Sequence, residues 1–257
     1  MFKYEYPVFE HKNILKKSML DELRDYPLVL SRMCLKEYGD GILEGCALEW
    51  EKGILRVQPG LLCHGGNVYR MEEAYAVDCP PADRLVYLKV RFSAMDYERG
   101  RSGGTGEILL DENPPEPGEM EFGRFRLQEG ARLRTSYENF GDYQTEYDTV
   151  NRIHVPYAQA GGPGLWPQLL RAYARELLET GTENVFDVSF AMALLGGNGH
   201  VASECVEWYV RRKSGGQKRK ASNGELYRGL LRILKECRSG GKERKGKENG
   251  MGQMLLL

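Results

Sequence analysis

Cys63 and His64 stand side by side in "GILEGCALEWEKGILRVQPGLLCHGGNVYRMEE", residues 41–73. A thiol beside an imidazole is the pairing that cysteine nucleophiles use, so an enzymatic reading has to begin here. The surrounding pattern argues otherwise. "LLCH" reads as a strand running into a Gly65-Gly66 turn, and neighbouring residues of a strand point to opposite faces. The expectation is Cys63 inward and His64 outward, which prevents them from working as nucleophile and base or as two ligands of one ion.

The other titratable groups are scattered. His11, His154 and His200 lack the H-E-x-x-H and H-x₃₋₅-H spacings that place imidazoles around zinc, so no metal is expected. Asp142, Glu146 and Asp148 in "GDYQTEYD" have the residue types for paired-carboxylate sugar chemistry, and a solvated edge is the plainer reading. The chain has no G-x-S-x-G elbow, no G-x-x-x-x-G-K-[ST] phosphate loop and no G-x-G-x-x-G in a strand-to-helix setting, so neither a catalytic residue nor a cofactor is expected.

Charge is unevenly spread. Residues 211–247 hold 14 bases and 3 acids, a net of +11, while residues 1–210 carry a net of −11. Within the basic end, Arg211, Arg212, Lys213, Lys218, Arg219 and Lys220 cluster around a Gly-Gly pair and are the candidate contacts for a polyanion or an acidic partner. No aromatic side chain is interleaved in that run to stack on bases, and no geometry for reading base edges is present. The expectation is weak, sequence-blind nucleic-acid binding, with a nucleic-acid-associated protein acting through 211–247 as the alternative reading.

The elements that must position these groups follow from periodicity. Residues 1–40 read as a helical segment: Ser18 and Asp21 begin one short helix, Pro27 divides it from a second, and Leu30, Met33, Cys34 and Tyr38 recur at helical spacing. From Gly41 the period becomes two, with Cys46, Leu48 and Trp50 on one face of a strand. Lys52-Gly53, Pro59-Gly60 and Gly65-Gly66 supply turns, so 41–158 is expected to be an antiparallel, β-meander-like domain. "RLVYLKVRFSAM", "GEILLD" and "EMEFGRFRLQ" supply further strands, with loops at "ERGRSGGTG" and "ENPPEPG".

"QAGGPG" at 159–164 reads as a linker, because its glycines and proline discourage pairing. Residues 165–238 then predict four helices sharing a small core. Leu169, Leu170, Tyr173, Ala174, Leu177 and Leu178 form the apolar stripe of the first. Val201, Cys205, Trp208 and Tyr209 are expected to share a face of the third, and Ser222-x-x-Glu225 marks a capping box before the fourth. Residues 239–257 are expected to be a disordered basic tail. The fold class is therefore α+β, with short N-terminal helices, an antiparallel β-rich domain and a C-terminal helical domain.

No run of about 18 apolar residues is present, and "MFKYEYPVFEHKNILKK" lacks the apolar core of a signal peptide. Six cysteines without C-x-x-C spacing suit reduced thiols. A cytoplasmic protein with no membrane contact is expected.

Residues 41–92, about a fifth of the chain, resemble the attachment portions of bacteriophage tail-fibre and baseplate proteins. In those, a short strand, a turn and an apolar strand ending in V-x-P-G precede G-x-x-Y/I and a new hairpin; here they stand as "GILEGCALEWEKGILRVQPGLLCHGGNVYRM". The whole layout is also similar to prophage-encoded or tail-like-particle proteins of Gram-positive bacteria. The resemblance implies a non-enzymatic structural or assembly component of a phage-like particle, cytoplasmic until assembled, whose partners are other subunits in a homo- or hetero-oligomer.

Overall fold

The structure, a computed structural model, describes residues 6–9, 11, 14–98, 101–215 and 221–251, with side chains left out at 95–102 and 240–251. It is an α+β fold with one N-terminal helix, three sheets whose strands pair mainly antiparallel, and four C-terminal helices.

The N-terminal helix, α1, spans Lys17–Cys34 and contains Pro27. One continuous helix replaces the two expected, since the proline removes a single backbone donor on a helix whose remaining hydrogen bonds persist.

Strands β1 (Gly41–Gly45) and β2 (Leu48–Glu51), expected as one, belong to different sheets. The chain breaks where Gly45 (φ 71°) and Cys46 (φ 54°) both turn left-handed, a conformation uncommon for a residue with a side chain. The alternation survives the break, with Cys46 and Leu48 buried and Ala47 and Glu49 exposed. Lys52 and Gly53, both at positive φ, close the hairpin from β2 to β3 (Ile54–Val57). A second hairpin joins β4 (Gly60–His64) and β5 (Asn67–Met71) through Gly65-Gly66. These hairpins do not form a simple meander. The second pairs back on β1, while β6 (Tyr75–Asp78) completes the sheet of β2 and β3.

The third sheet is β8 (Arg101–Asp111), β7 (Ala82–Glu98) and β9 (Glu119–Leu127). Much of "ERGRSGGTG", expected as a loop, extends the β7–β8 hairpin instead, with Ser93 opposite Thr105 and Ala94 opposite Gly104. Pairing there is a main-chain property that glycine does not forbid. On β7, Val86, Leu88 and Val90 enter the core. Lys89, on the other face, is also buried, held by Glu119 (2.9 Å), Asp111 (3.1 Å) and the Asn113 carbonyl (3.2 Å).

Residues 159–164 do not form a free linker. Strands β10 (Tyr157–Gln159) and β11 (Gly162–Gly164) make a tight hairpin that joins β1 through the parallel pair Ile42–Tyr157. Pro163 is tolerated because β11 is the sheet edge, where a missing donor leaves no ladder bond unmade.

The helices are α2 (Pro167–Glu179), α3 (Val185–Gly196), α4 (Ser203–Ser214) and α5 (Asn223–Met251). Leu169, Leu170, Tyr173, Ala174 and Leu177 of α2 are buried as their spacing predicts. The capping box is formed: the Ser222 amide donates to Glu225 (2.9 Å) and the Glu225 amide to Ser222 Oγ (3.3 Å). The buried face of α4 is Val206 and Tyr209, whereas Cys205 and Trp208, expected beside them, are exposed. The α5 backbone stays helical to Met251, past the Ser239 where order was expected to end, as a segment rich in Lys, Glu and Arg permits. Two apolar clusters, one between the sheets and one among the helices, meet at Trp166.

Candidate interaction site

Three of the six candidate polyanion contacts lie among the described residues. Arg211, Arg212 and Lys213 occupy the last turn of α4, where cations suit the carbonyl end of the helix. Lys218, Arg219 and Lys220 lie outside the described residues. Lys213 is engaged internally, its Nζ 2.9 Å from the buried carboxylate of Asp187. Asp187 also accepts from the Tyr209 hydroxyl (2.8 Å), which lies 3.1 Å from that of Tyr173. Burial and this carboxylate hold the Tyr209 phenol far above its ordinary range, so it stays a donor. Arg212 reaches over the Phe186 ring at 5.8 Å and is exposed. Sequence reasoning missed this network because Asp187 lies 26 residues from Lys213 and only the packing of α3 on α4 and α5 joins them.

Cys63 is buried in β4, and burial pushes its thiol up from the ordinary value, away from the nucleophilic thiolate. His64 is half-buried at the sheet rim, its ring stacked on Phe92 (3.9 Å) and Nδ1 2.9 Å from Asp40. Asp40 in turn accepts from the Gly65 amide, so this group fastens the turn.

Each of the three acids at 142–148 has its own structural task. Asp142 lies in the first turn of a short 3-10 helix, Phe140–Gln144, which Asn139 caps, and it pairs with Arg134, whose guanidinium holds the carboxyl below the usual range. Glu146 accepts from Asn151, and Asp148 from the Gln128 amide. His154 is half-buried and pushed toward its neutral form by desolvation. Among the described residues no group of three His, Cys, Asp or Glu side chains is placed to hold a metal ion. No helix among them is long and apolar enough to cross a membrane.

One uncovered surface among the described residues is apolar. No residue of α1 is buried, and Leu20, Leu23, Tyr26, Leu28, Val29, Leu30 and Met33 are all exposed. Among the described residues one side-chain hydrogen bond, Arg32 to Asn67 at 3.1 Å, reaches from α1 to the sheets. A monomer rarely leaves so continuous an apolar surface in water. The signal was present in the sequence as the helical spacing of Leu30, Met33 and Cys34, which showed a face but not what covers it.

No protein-family model and no curated protein sequence matches the chain. Several solved structures show a weak likeness, among them three from the type VI secretion system. A chain of the type VI secretion TssK-TssF-TssG baseplate subcomplex is 10% identical, with a TM-score of 0.40 over 92% of this chain and 100% of that one. A crystal structure of TssK is 10% identical, with a TM-score of 0.41 over 93% and 72%. A chain of the type VI secretion baseplate complex is 11% identical, with a TM-score of 0.37 over 91% and 100%. No residue role is carried across from them.

Proposed function

We propose that this protein is a non-enzymatic assembly subunit of a phage-like tail, baseplate or related particle, and that it works by binding other subunits. The observation that carries the reading is α1, an 18-residue helix without one buried residue and with its leucines exposed. Burying a Leu side chain stabilises by about 1.5–3 kcal/mol, so covering even part of this face supplies a substantial driving force for association. The kind of particle is suggested by the resemblance of residues 41–92 to tail-fibre and baseplate attachment segments. The basic end contributes a contact for an acidic partner, through Arg211 and Arg212 rather than Lys213, which Asp187 already holds.

The test is a Leu23→Glu, Leu30→Glu variant of the full chain, compared with wild type for molar mass in solution and for incorporation into particles from producing cells. The variant is expected to stay folded and to lose incorporation. Unchanged incorporation overturns the reading. A second variant neutralising Arg211, Arg212, Lys218, Arg219 and Lys220, with Lys213 left intact, separates the roles of the basic end. Loss of tight nucleic-acid retention with assembly untouched would transfer the assignment to nucleic-acid binding.

A further inference from the structure

Among the described residues, buried charges come with opposite charges, with one exception. Asp187 has Lys213, Glu121 has Arg124 and Lys89 has Asp111 and Glu119. Arg152 is 3% exposed, and among the described residues it has no carboxylate partner. Its guanidinium lies over the Trp166 ring (4.7 Å) and near the Tyr157 ring (5.6 Å). Its one hydrogen bond, from Nη2 to the Cys46 carbonyl, is long at 3.4 Å, and its Nε is buried with no partner. Cation–π contacts recover part of the cost of desolvating a cation, typically about 0.5–2 kcal/mol, and leave most of it outstanding.

Arg152 also forms part of the wall of a small cleft of about 120 Å³. Tyr137 and Trp166 make its aromatic side, Leu48 and Val150 its aliphatic side, and Thr135 adds a hydroxyl. A single buried cation in a wall that otherwise offers apolar surface and two neutral polar groups, the Thr135 hydroxyl and the Gln168 carboxamide, suits a planar monoanion on a short apolar stem. A carboxylate matches the guanidinium bidentately, and its methylenes meet Leu48 and Val150. A phosphate dianion would need further cations or donors, and the other residues of the cleft wall bring no second charge.

We propose that the Arg152 cleft is a carboxylate-binding site, filled by an acidic side chain of a neighbouring subunit or by a free short-chain acid. Binding places the missing counter-charge on Arg152 and locks Trp166, the residue at which the two apolar clusters meet.

The test uses the full chain with sodium propionate and with N-acetylglutamate amide as probes, each against sodium chloride at equal ionic strength. Thermal midpoint and tryptophan emission are the readouts. A saturable rise in midpoint with a matching change in emission is expected, and Trp166→Phe should keep the first and lose most of the second. Arg152→Met should weaken apparent affinity by about tenfold or more, as loss of a charge-assisted pair does. Should that variant fail to fold, Thr135→Phe fills the cleft while keeping the cation, and it should abolish the response. Response to propionate alone identifies a free acid as the ligand, and response to both probes identifies an acidic side chain. No saturable response to either probe in folded wild type, or a Thr135→Phe protein that responds as wild type does, overturns the proposal.

Discussion

Helices α1 and α2 carry the same sequence signal and meet opposite fates. Both space apolar residues three and four apart, Leu20, Leu23, Leu30 and Met33 in one and Leu170, Tyr173, Ala174 and Leu177 in the other. In α2 that stripe is buried against α3, α5 and the 3-10 helix, with Leu169, Leu170, Tyr173 and Leu177 fully enclosed. In α1 the equivalent side chains, Leu20, Leu23, Leu30 and Met33, all face water. Amphipathic periodicity therefore says that a helix has a face to cover, and it does not say whether the cover belongs to the same chain. Only the fold makes that distinction, and here, among the described residues, it leaves α1 as the helix whose apolar side chains stay uncovered.

The largest expected effect breaks the comparison at its buried end. Leu170→Ala should cost about 2–5 kcal/mol in denaturant unfolding, because a fully enclosed leucine leaves a cavity. Leu23→Ala should cost less than about 0.5 kcal/mol in the isolated chain, as exposed positions do, and should still weaken assembly. Equal losses of stability at the two sites would mean that α1 packs against its own chain, which would remove the main support for an assembly subunit.

The same contrast recurs within the basic run. Lys213→Met should cost about 2–4 kcal/mol because it leaves Asp187 buried without its cation. Arg212→Met, at the adjacent position but exposed, should change stability by less than about 0.5 kcal/mol. Adding Asp187→Asn to Lys213→Met should recover part of the loss, since it removes the stranded charge. Equivalent effects of the two single substitutions would show that Lys213 is an ordinary surface charge.

What was legible in the sequence was local. Lys52-Gly53, Gly65-Gly66 and the Ser222–Glu225 box each carry their instruction within a few residues, and each appears in place. The α+β layout followed from the change of period at Gly41. Features set by tertiary contact were not legible. Cys46 breaks its strand at a positive φ that its residue type disfavours, and the 159–164 segment pairs because β1 offers it an edge. Trp208 lost its expected place because the α4 core needed Val206 and Tyr209. Arg152 gave no signal, for nothing in "NRIHV" distinguishes a buried arginine from a surface one. The division into a 41–158 β-rich part and a 165–238 helical part stays a proposal. Asn223 donates to the Val155 and Gly164 carbonyls across that boundary, at 3.1 Å each, so separate melting of the two parts is not expected in wild type.

A smaller effect concerns pH and contrasts the charged face of β7 with its apolar one. Hydrogen bonding to Lys89 pushes the Glu119 carboxyl down to about 2. A depressed carboxylate stabilises the fold above its unfolded value and loses that contribution as pH falls toward the folded one. Stability should therefore decline between about pH 4.5 and 2, by on the order of 1–3 kcal/mol from this group. Glu119→Gln should flatten the decline in that window. A slope identical to wild type would show that the Lys89 cluster contributes nothing to acid sensitivity.

The smallest effect expected is at the thiol–imidazole pair. His64 is half-buried, its partner Asp40 is largely exposed, and its ring stacks on Phe92. An exposed ion pair is worth about 0–1 kcal/mol and an aromatic contact about 0.5–1.5 kcal/mol. Part of this returns when water solvates Asp40, so His64→Ala should cost about 1 kcal/mol or less. Chemistry supplies the sharper readout. Were His64 to activate Cys63, removing the imidazole would slow thiol modification by an aromatic disulfide severalfold. In the structure Cys63 is buried, and its thiol is raised by burial and by the Asp40 charge. Its modification rate should be governed by opening of the β4–β5 hairpin and should stay the same or rise slightly in His64→Ala, because a weaker rim opens more often. A marked slowing would restore the pair as a reactive centre and place an enzyme where a fastened sheet edge now stands.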